Sequence, residues 1–279
     1  MAYRSLLVHV DNSRAAETRV AVGAALAARF KCALTGVFLK SEPHLSHLIA
    51  DTVAPASGGE RQQTMGERAT AVAKAAAAAR WMFDDAARVA GIPFHWITMN
   101  NDCHTELIAA ARRQDLAILP PEMTTLFGER TITAAQVGMA SGGPVLVLKH
   151  GGYPVDFGKK ILVAWNNSRE SARALRDAWP FLAEAERVDF LTVSGTANDT
   201  LDELMGRHLR EHCCKFGRLI VDRAGTACVA DTIRLHVAQT GADMVVMGLY
   251  GHSQMQEMAL GGVSRELLHD PPMPLLISH

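Results

Sequence analysis

The chain has 279 residues, of which 48% are hydrophobic and 20% charged, and its formal net charge is -1. These values are ordinary for a globular protein, and the near-zero charge gives no electrostatic reason to expect nucleic acid or an acidic membrane surface as a partner. The five cysteines are odd in number and irregularly spaced, which argues against a disulfide framework and favours a reducing cytosol. No apolar run approaches the roughly 18 residues of a membrane span, and the N-terminus lacks a signal-peptide pattern, so we expect a cytoplasmic protein.

Apolar runs alternate with helical segments along the first half of the chain. The predicted strands are residues 6–10, 33–39, 94–99, 115–119 and 144–148. The predicted helices are residues 15–29, 60–90, 103–113 and 131–140. The polar residues 41–59, which include two prolines, predict a surface loop between the second strand and the long second helix.

After Gly151 and Gly152, which indicate a linker, the same order of elements begins again. The strands predicted here are residues 161–165, 187–193, 218–221, 243–247 and 274–277, and the helices include residues 201–216, 228–239 and 265–269. The matching positions are Asn166-Asn167-Ser168-Arg169 with Asp11-Asn12-Ser13-Arg14, Asp243 with Asp115, and Pro274 with Pro144. We interpret this as an internal duplication, with domains at residues 1–150 and 151–279.

The predicted strands are apolar throughout rather than alternating, which is typical of a parallel sheet covered by helices on both faces. In such an α/β sheet, ligands bind beyond the carboxyl ends of the strands, where the strand order reverses. If the first and fourth strands of the second half are neighbours, Asn166 faces Gly248. The sequence alone does not prove that they are neighbours.

A glycine-rich segment follows the fourth strand of the second half. Met247 and Gly248 end the strand, Gly251, Gly261 and Gly262 follow, and Val263 and Ser264 lead into a short helix. Glycine lets the backbone approach a ligand closely, and the N–H groups of a new helix point at an anion. The segment therefore predicts a phosphate-binding loop.

The chain resembles the tandem universal stress proteins over almost its whole length. Nucleotide-binding members carry a glycine, two residues, a glycine, nine residues, and then a glycine followed by serine or threonine. Gly248, Gly251 and Gly261 have this spacing, and Gly262 stands where the hydroxyl residue usually follows. The resemblance implies two fused five-stranded parallel sheets of strand order 3-2-1-4-5, ATP between the first and fourth strands, and pairing through the last strand.

Two departures bear on the implied site. Asn166 stands where members usually place an aspartate that contacts the nucleoside, and an amide can still donate and accept hydrogen bonds there. In the first half, Pro120 and Pro121 replace the first residues of the glycine loop, and proline has no N–H to give a phosphate. We therefore expect the first half to be a structural partner without nucleotide.

The predicted function is a regulatory module that binds ATP, with or without Mg²⁺, in its second half and associates as a homodimer. The nucleoside would contact Asn166 and Met247, and the phosphates would lie near Gly251, Gly261, Gly262 and Val263, with Ser264 supplying a hydroxyl. We predict no catalytic residues and at most slow ATP hydrolysis. The alternative is a scaffold protein of the same fold without nucleotide; an enzyme of the adenine-nucleotide hydrolase group ranks third.

Two pairs of residues could indicate a metal or redox site, but the sequence favours other interpretations. His44 and His47 have no further ligand pattern and are expected to be solvated, whereas Cys213 and Cys214 are expected to be buried, inert thiols. We therefore predict no metal site. The identity of protein partners cannot be deduced from the sequence.

Overall fold

The computed structural model describes residues 2–40, 58–99, 103–124, 130–149, 153–193, 206–212, 215–222, 228–249 and 263–279. Its strands are β1 (Ser5–His9), β2 (Ala33–Leu39), β3 (Phe94–Met99), β4 (Leu116–Leu119), β5 (Glu122–Thr124), β6 (Arg130–Thr133), β7 (Val145–Val147), β8 (Lys160–Ala164), β9 (Arg187–Val193), β10 (Phe216–Asp222), β11 (Met244–Gly248) and β12 (Leu275–Ser278). Its helices are α1 (Arg14–Phe30), α2 (Gly58–Val89), α3 (Cys103–Ala111), α4 (Ala134–Ser141), α5 (Arg169–Asp177), α6 (Trp179–Glu184), α7 (Val229–Thr240) and α8 (Val263–His269). Residues 206–211 are also helical.

Ten strands form one continuous sheet in the order β10-β9-β8-β11-β12-β7-β4-β1-β2-β3. Within each half the neighbouring strands are parallel and follow the predicted order 3-2-1-4-5. The halves join where β7 and β12 pair antiparallel, with Leu146 opposite Leu276. The predicted α/β fold of two fused five-stranded parallel sheets is therefore confirmed. The division at residue 150 falls outside the described residues and stays a prediction.

Helices cover both faces of the sheet because successive strand residues are buried on opposite sides. Leu6 and Leu7 of β1, for example, are both inaccessible to solvent and belong to different hydrophobic clusters. One cluster packs under α1, α2, α5 and α6, and the other under α3, α4, α7 and α8. Each cluster contains residues of both halves, so the two halves share a continuous hydrophobic core on each face of the sheet. In the described ranges, no helix has the length and apolar composition needed to cross a bilayer.

Aromatic rings and ion pairs tie the halves together beneath the paired strands. The rings of Tyr3, Phe30 and Phe181 contact one another edge to face, with centroids 5.1–5.9 Å apart. Arg29 of the first half donates to Glu184 at 2.6 Å and to the Phe157 carbonyl at 2.8 Å. The halves thus pack as two subunits of a dimer would, which is the predicted pseudo-dimeric arrangement.

The helix predicted at residues 131–140 begins later than expected. Residues 122–133 contain the two-stranded antiparallel sheet β5–β6, so Ile132 and Thr133 are in a strand. The helix starts at Ala134 because Thr133 caps it: the backbone N–H of Gln136 donates to the Thr133 hydroxyl, and the Thr133 N–H donates to the Gln136 side chain.

The helix predicted at residues 201–216 extends too far. Phe216 instead begins β10, which is longer than the predicted strand at residues 218–221. Its ring packs against Phe190 of the neighbouring β9, with centroids 6.0 Å apart, and this contact favours the strand. The predicted surface loop at residues 41–59 lies outside the described residues except for Gly58 and Gly59, which are in α2.

Candidate functional site

A cavity of about 150 Å³ lies at the carboxyl ends of β8 and β11. These strands are neighbours, with Ala164 opposite Met247, so the first and fourth strands of the second half meet as expected. This is the point where the strand order reverses, and open α/β sheets bind ligands there. The lining residues are Ala164, Trp165, Asn166, Leu191, Val193, Val229, Ile233, Met247, Gly248, Val263 and Ser264.

The cavity brings together five of the eight residues that the sequence predicted for the site: Asn166, Met247, Gly248, Val263 and Ser264. They come from three separate parts of the chain. The other three, Gly251, Gly261 and Gly262, lie outside the described residues, as do His44, His47, Cys213 and Cys214.

Asn166 follows β8 in a turn held by its own side chain. The backbone N–H of Ser168 donates to Asn166 Oδ1 at 3.2 Å, and Ser168 Oγ then accepts from the Ser171 N–H at 3.1 Å and caps α5. Asn167 between them has a left-handed φ of 59°, which asparagine tolerates well. The sequence Asn-Asn-Ser therefore builds both the turn and the start of the helix, and it fixes Asn166 at the cavity.

Gly248 has a packing role in addition to its place in the cavity wall. A Cβ at this position would lie 2.5 Å from the carbonyl carbon of Glu170 and 2.5 Å from the backbone nitrogen of Ser171. The first turn of α5 thus passes against the end of β11 at a distance that only glycine permits. This requirement holds whether or not a ligand is bound.

Sequence reasoning missed the apolar wall of the cavity. Leu191 and Val193 come from β9, Val229 and Ile233 from α7, and Trp165 follows β8. The signal for β9 was present, because the order 3-2-1-4-5 places the end of the second strand beside the first. Nothing in the sequence pattern indicated that the first turns of α7 reach the same cavity.

The cavity is predominantly apolar. None of the described residues that line it carries a charge, and its polar side chains are Asn166 and Ser264, with the indole of Trp165 beside them. The Trp165 ring is positioned by an edge-to-face contact with Phe190, with centroids 6.3 Å apart. Such a surface suits an uncharged, flat ring better than a charged group, because an unpaired charge loses its hydration there.

The equivalent place in the first half is occupied by the protein itself. The β1–β4 and β8–β11 registers match when Leu6 is aligned with Ile161, which aligns His9 with Ala164. His9 is 1% exposed, and Arg19, aligned with Ala174, is also 1% exposed. The imidazole therefore takes space that is open in the second half.

Asp11, the counterpart of Asn166, is fully engaged within the first half. Its Oδ1 accepts from the Ser13 N–H at 2.7 Å and its Oδ2 accepts from the Arg19 guanidinium at 2.9 Å. The Arg19 Nε donates to the His9 carbonyl at 2.7 Å. Burial, together with the Arg19 charge, lowers the pKa of His9 to about 3, so the imidazole is neutral at physiological pH.

The segment that follows β4 also differs from its counterpart. Pro120 and Pro121 lead into the β5–β6 pair, and the Ala134 N–H donates to the Pro121 carbonyl at 3.0 Å. Because Thr133 and Gln136 cap α4, the N–H groups at its start are bonded within the protein. Among the described residues of the first half, His9 stands in place of Ala164 and the start of α4 is capped by Thr133 and Gln136, which differs from the open crevice and helix start expected of a phosphate site.

Sequence comparison identifies a family for the C-terminal part of the chain. Residues 223–279 match the sequence model of the universal stress protein family. No curated protein matches the sequence.

Comparison with solved structures extends the likeness to nearly the whole chain. A universal stress protein from Archaeoglobus fulgidus DSM 4304 superposes with a TM-score of 0.70 at 18% identity, covering 98% of this chain and 95% of that one. A putative universal stress protein from Pseudomonas aeruginosa UCBPP-PA14 gives a TM-score of 0.55 at 15% identity, with 99% and 93% covered. The cytoplasmic domain of a prokaryotic cation chloride cotransporter gives 0.50 at 11% identity, with 98% and 94% covered.

At these identities the structures establish the fold and leave the function to be argued from the site. The cotransporter domain illustrates the point, since its fold serves in a different setting. The resemblance seen in the sequence is confirmed: residues 223–279 match the universal stress protein family, and the chain as a whole has the same fold as the two solved universal stress proteins.

Proposed function

We propose that the second half binds an adenine nucleotide, ATP, and that the chain acts as a regulatory nucleotide-binding module. The observation that supports this most strongly is the cavity at the strand-order reversal, lined by five of the eight residues predicted for the site. In the first half the position of Ala164 is taken by the buried side chain of His9. We therefore propose one nucleotide per chain.

The cavity suits the base of the nucleotide. Its volume of about 150 Å³ is smaller than the ~300–1,000 Å³ typical of whole-ligand pockets, so it accommodates one ring system. Trp165, Met247 and Val229 supply apolar walls for that ring. Val263 and Ser264, the first residues of α8, line the cavity and directly follow the predicted phosphate loop in the sequence. The contacts of Gly251, Gly261 and Gly262 with phosphate stay a prediction.

Mg²⁺ has no carboxylate ligand among the described lining residues of the cavity. The described part of the chain also has no group of three or more histidine, cysteine, aspartate or glutamate residues able to hold a metal ion. Mg²⁺ prefers oxygen ligands, especially carboxylates and phosphates. These residues do not fit a Mg²⁺ site of their own, and in this proposal the ion accompanies the phosphates.

A binding role is favoured over catalysis by the composition of the cavity. Its described lining offers one hydroxyl, Ser264, and no acid or base. General acid–base catalysis needs a titratable group within hydrogen-bond reach of the reacting atom. We therefore propose that the protein acts by binding the nucleotide as a regulatory module and that it hydrolyses ATP slowly at most.

The resemblance implied pairing through the last strand, and that pairing occurs inside this chain between β7 and β12. A homodimer would need another surface, and its formation stays a prediction. The outer strands of the sheet are β3 and β10.

The proposal is tested by filling the cavity. Ala164→Leu adds three carbons into open space next to Met247, so we expect the fold to be retained and ATP binding to fall at least tenfold. Ala73→Leu adds the same carbons on an exposed face of α2 and serves as the control, with unchanged binding expected. Equilibrium titration with ATP and thermal unfolding are measured on both variants. Undiminished ATP binding by a folded Ala164→Leu variant, or none by the unaltered protein, would contradict the proposal and favour the scaffold alternative.

A further inference from the structure

The turn at Asn166 determines which part of its side chain is left for a ligand. Oδ1 is used, since it accepts the Ser168 N–H at 3.2 Å. The remaining polar atom is Nδ2, which only donates, and it has no partner among the described residues. The side chain is exposed and lines the cavity. The group that Asn166 offers at the rim is therefore a hydrogen-bond donor.

The first half has the same turn, but the side-chain atom that is not used in the turn is an acceptor instead of a donor. Asp11 Oδ1 accepts the Ser13 N–H at 2.7 Å, as Asn166 does from Ser168, and its remaining oxygen accepts from Arg19 at 2.9 Å. In the first half an acceptor is thus satisfied by a donor from within the protein. In the second half Ala174 stands where Arg19 would be, and the group that remains is a donor.

The described lining of the cavity restricts which groups can accept a hydrogen bond from Asn166 there. The described cavity lining is uncharged and contains the ring of Trp165 and the side chains of Met247 and Val193. A ligand group that enters there has to be flat and largely apolar, with a hydrogen-bond acceptor at its edge. An aromatic heterocycle with an unprotonated ring nitrogen has these properties.

We propose that Asn166 determines specificity by donating from Nδ2 to an unprotonated ring nitrogen of the bound base. This rests on the proposed nucleotide function and names the atom class that the site recognises. It also distinguishes Asn166 from the aspartate that family members usually have at this position, because an ionised carboxylate can only accept hydrogen bonds. Recognition by a donor and recognition by an acceptor predict opposite effects of introducing a carboxylate.

Asn166→Asp is the decisive variant. It keeps the size of the side chain and the oxygen that accepts from Ser168, and Asp11 shows that aspartate forms this turn. It replaces the donor by an acceptor. Adenosine is the probe, because it lacks phosphates that a new carboxylate would repel. We expect adenosine to bind about tenfold more weakly, since one hydrogen bond is lost and two acceptors are brought together.

Asn167→Asp is the matched control. It makes the same chemical change one residue away, at an exposed position that does not line the cavity. Adenosine affinity should stay within about twofold of the unaltered protein. A loss equal to that of Asn166→Asp would show that charge alone weakens binding, and would overturn the proposal.

Ring analogues identify the acceptor directly. The 1-deaza, 3-deaza and 7-deaza analogues of adenosine each replace one ring nitrogen by carbon. One of them should bind the unaltered protein about fivefold or more weakly than adenosine does, and Asn166→Asp should lose most of that discrimination, because the two changes act on one contact. Thermal unfolding confirms that the variant is folded.

The outcomes separate this inference from the nucleotide proposal. If the unaltered protein binds adenosine and Asn166→Asp binds it as tightly or more tightly, the inference is wrong and the nucleotide proposal stands. If the unaltered protein binds all three analogues as tightly as adenosine, the inference is likewise wrong and the nucleotide proposal stands. If neither adenosine nor ATP binds the unaltered protein, both proposals are wrong.

Discussion

Three matched positions distinguish the ends of the first strands in the two halves. They are His9 and Ala164, Asp11 and Asn166, and Arg19 and Ala174. In the first half Arg19 donates to the His9 carbonyl and to Asp11 and lies 3.4 Å from His9 Nδ1; His9 and Arg19 are buried, and Asp11 is partly exposed. In the second half Ala164 lines the open cavity, and Asn166 Nδ2 is a donor that has no partner among the described residues. A pair of duplicated domains can thus keep one fold while the described residues at their two crevices differ.

The His9 cluster predicts a pH dependence of stability. Burial lowers the pKa of His9 from 6.5 to about 3 in the folded protein, so between these values the unfolded chain binds more protons. Stability is therefore present above the unfolded pKa and is lost as the pH falls through this window. At pH 5 the loss from His9 should be on the order of 1–2 kcal/mol.

Urea unfolding at pH 7 and pH 5 checks this prediction. His9→Asn keeps a polar group near Arg19 but cannot be protonated, so its stability should depend less on pH than that of the unaltered protein. His95→Asn removes an exposed histidine of β3 and is the control. The same pH dependence in His9→Asn and in the unaltered protein would contradict the buried, neutral state of His9.

At the scale of elements, glycine packing connects β11 with α5. An alanine Cβ at position 248 would meet the backbone of Glu170 and Ser171 at 2.5 Å, and backbone cannot move aside as a flexible side chain can. We expect Gly248→Ala to lower the free energy of unfolding by about 1–3 kcal/mol, as overpacking does.

Gly66→Ala is the matched control. Gly66 is in α2, and a Cβ there would meet no atom within 4 Å. Because alanine favours helix more than glycine does, this change should stabilise by about 0.5–1 kcal/mol. Urea unfolding of both variants decides the matter, and a Gly248→Ala protein as stable as the unaltered one would contradict the close contact.

The sequence predicted the strands of the large sheet well because most of them are apolar runs bounded by polar or glycine-containing turns. It failed where contacts distant in the sequence decide the structure. Ile132 and Thr133 were assigned to a helix, but pairing with β5 makes them a strand. Phe216 was assigned to a helix, but its contact with Phe190 favours β10. A local pattern does not contain either contact.

The residues of the candidate site also fall into those predictable from local sequence and those that depend on contacts distant in the sequence. Asn166, Met247 and Gly248 were predictable because the turn, the strand end and the glycine spacing are local features. Ala164 drew no attention in the sequence, and its importance emerges only from the comparison with His9 in the folded chain. The walls from β9 and α7 depend on which elements the fold places around the crevice.

At the scale of the whole molecule, the sheet is continuous through the antiparallel pairing of β7 and β12. The same fold recurs at 18% identity in the Archaeoglobus fulgidus protein. A fold can be kept at such low sequence identity when buried apolar positions define it, because many sequences satisfy the same apolar pattern. The molecule resembles a symmetric dimer in its backbone and departs from symmetry in its crevices, which predicts unequal binding by its halves.

Titration calorimetry of the full chain with ATP tests this central claim most directly, because it counts the sites. The account predicts one ATP per chain, bound in the second half, and the loss of that single site in Ala164→Leu. Two sites per chain would contradict the assignment of the first half as a structural partner. The absence of any binding would contradict the nucleotide function itself.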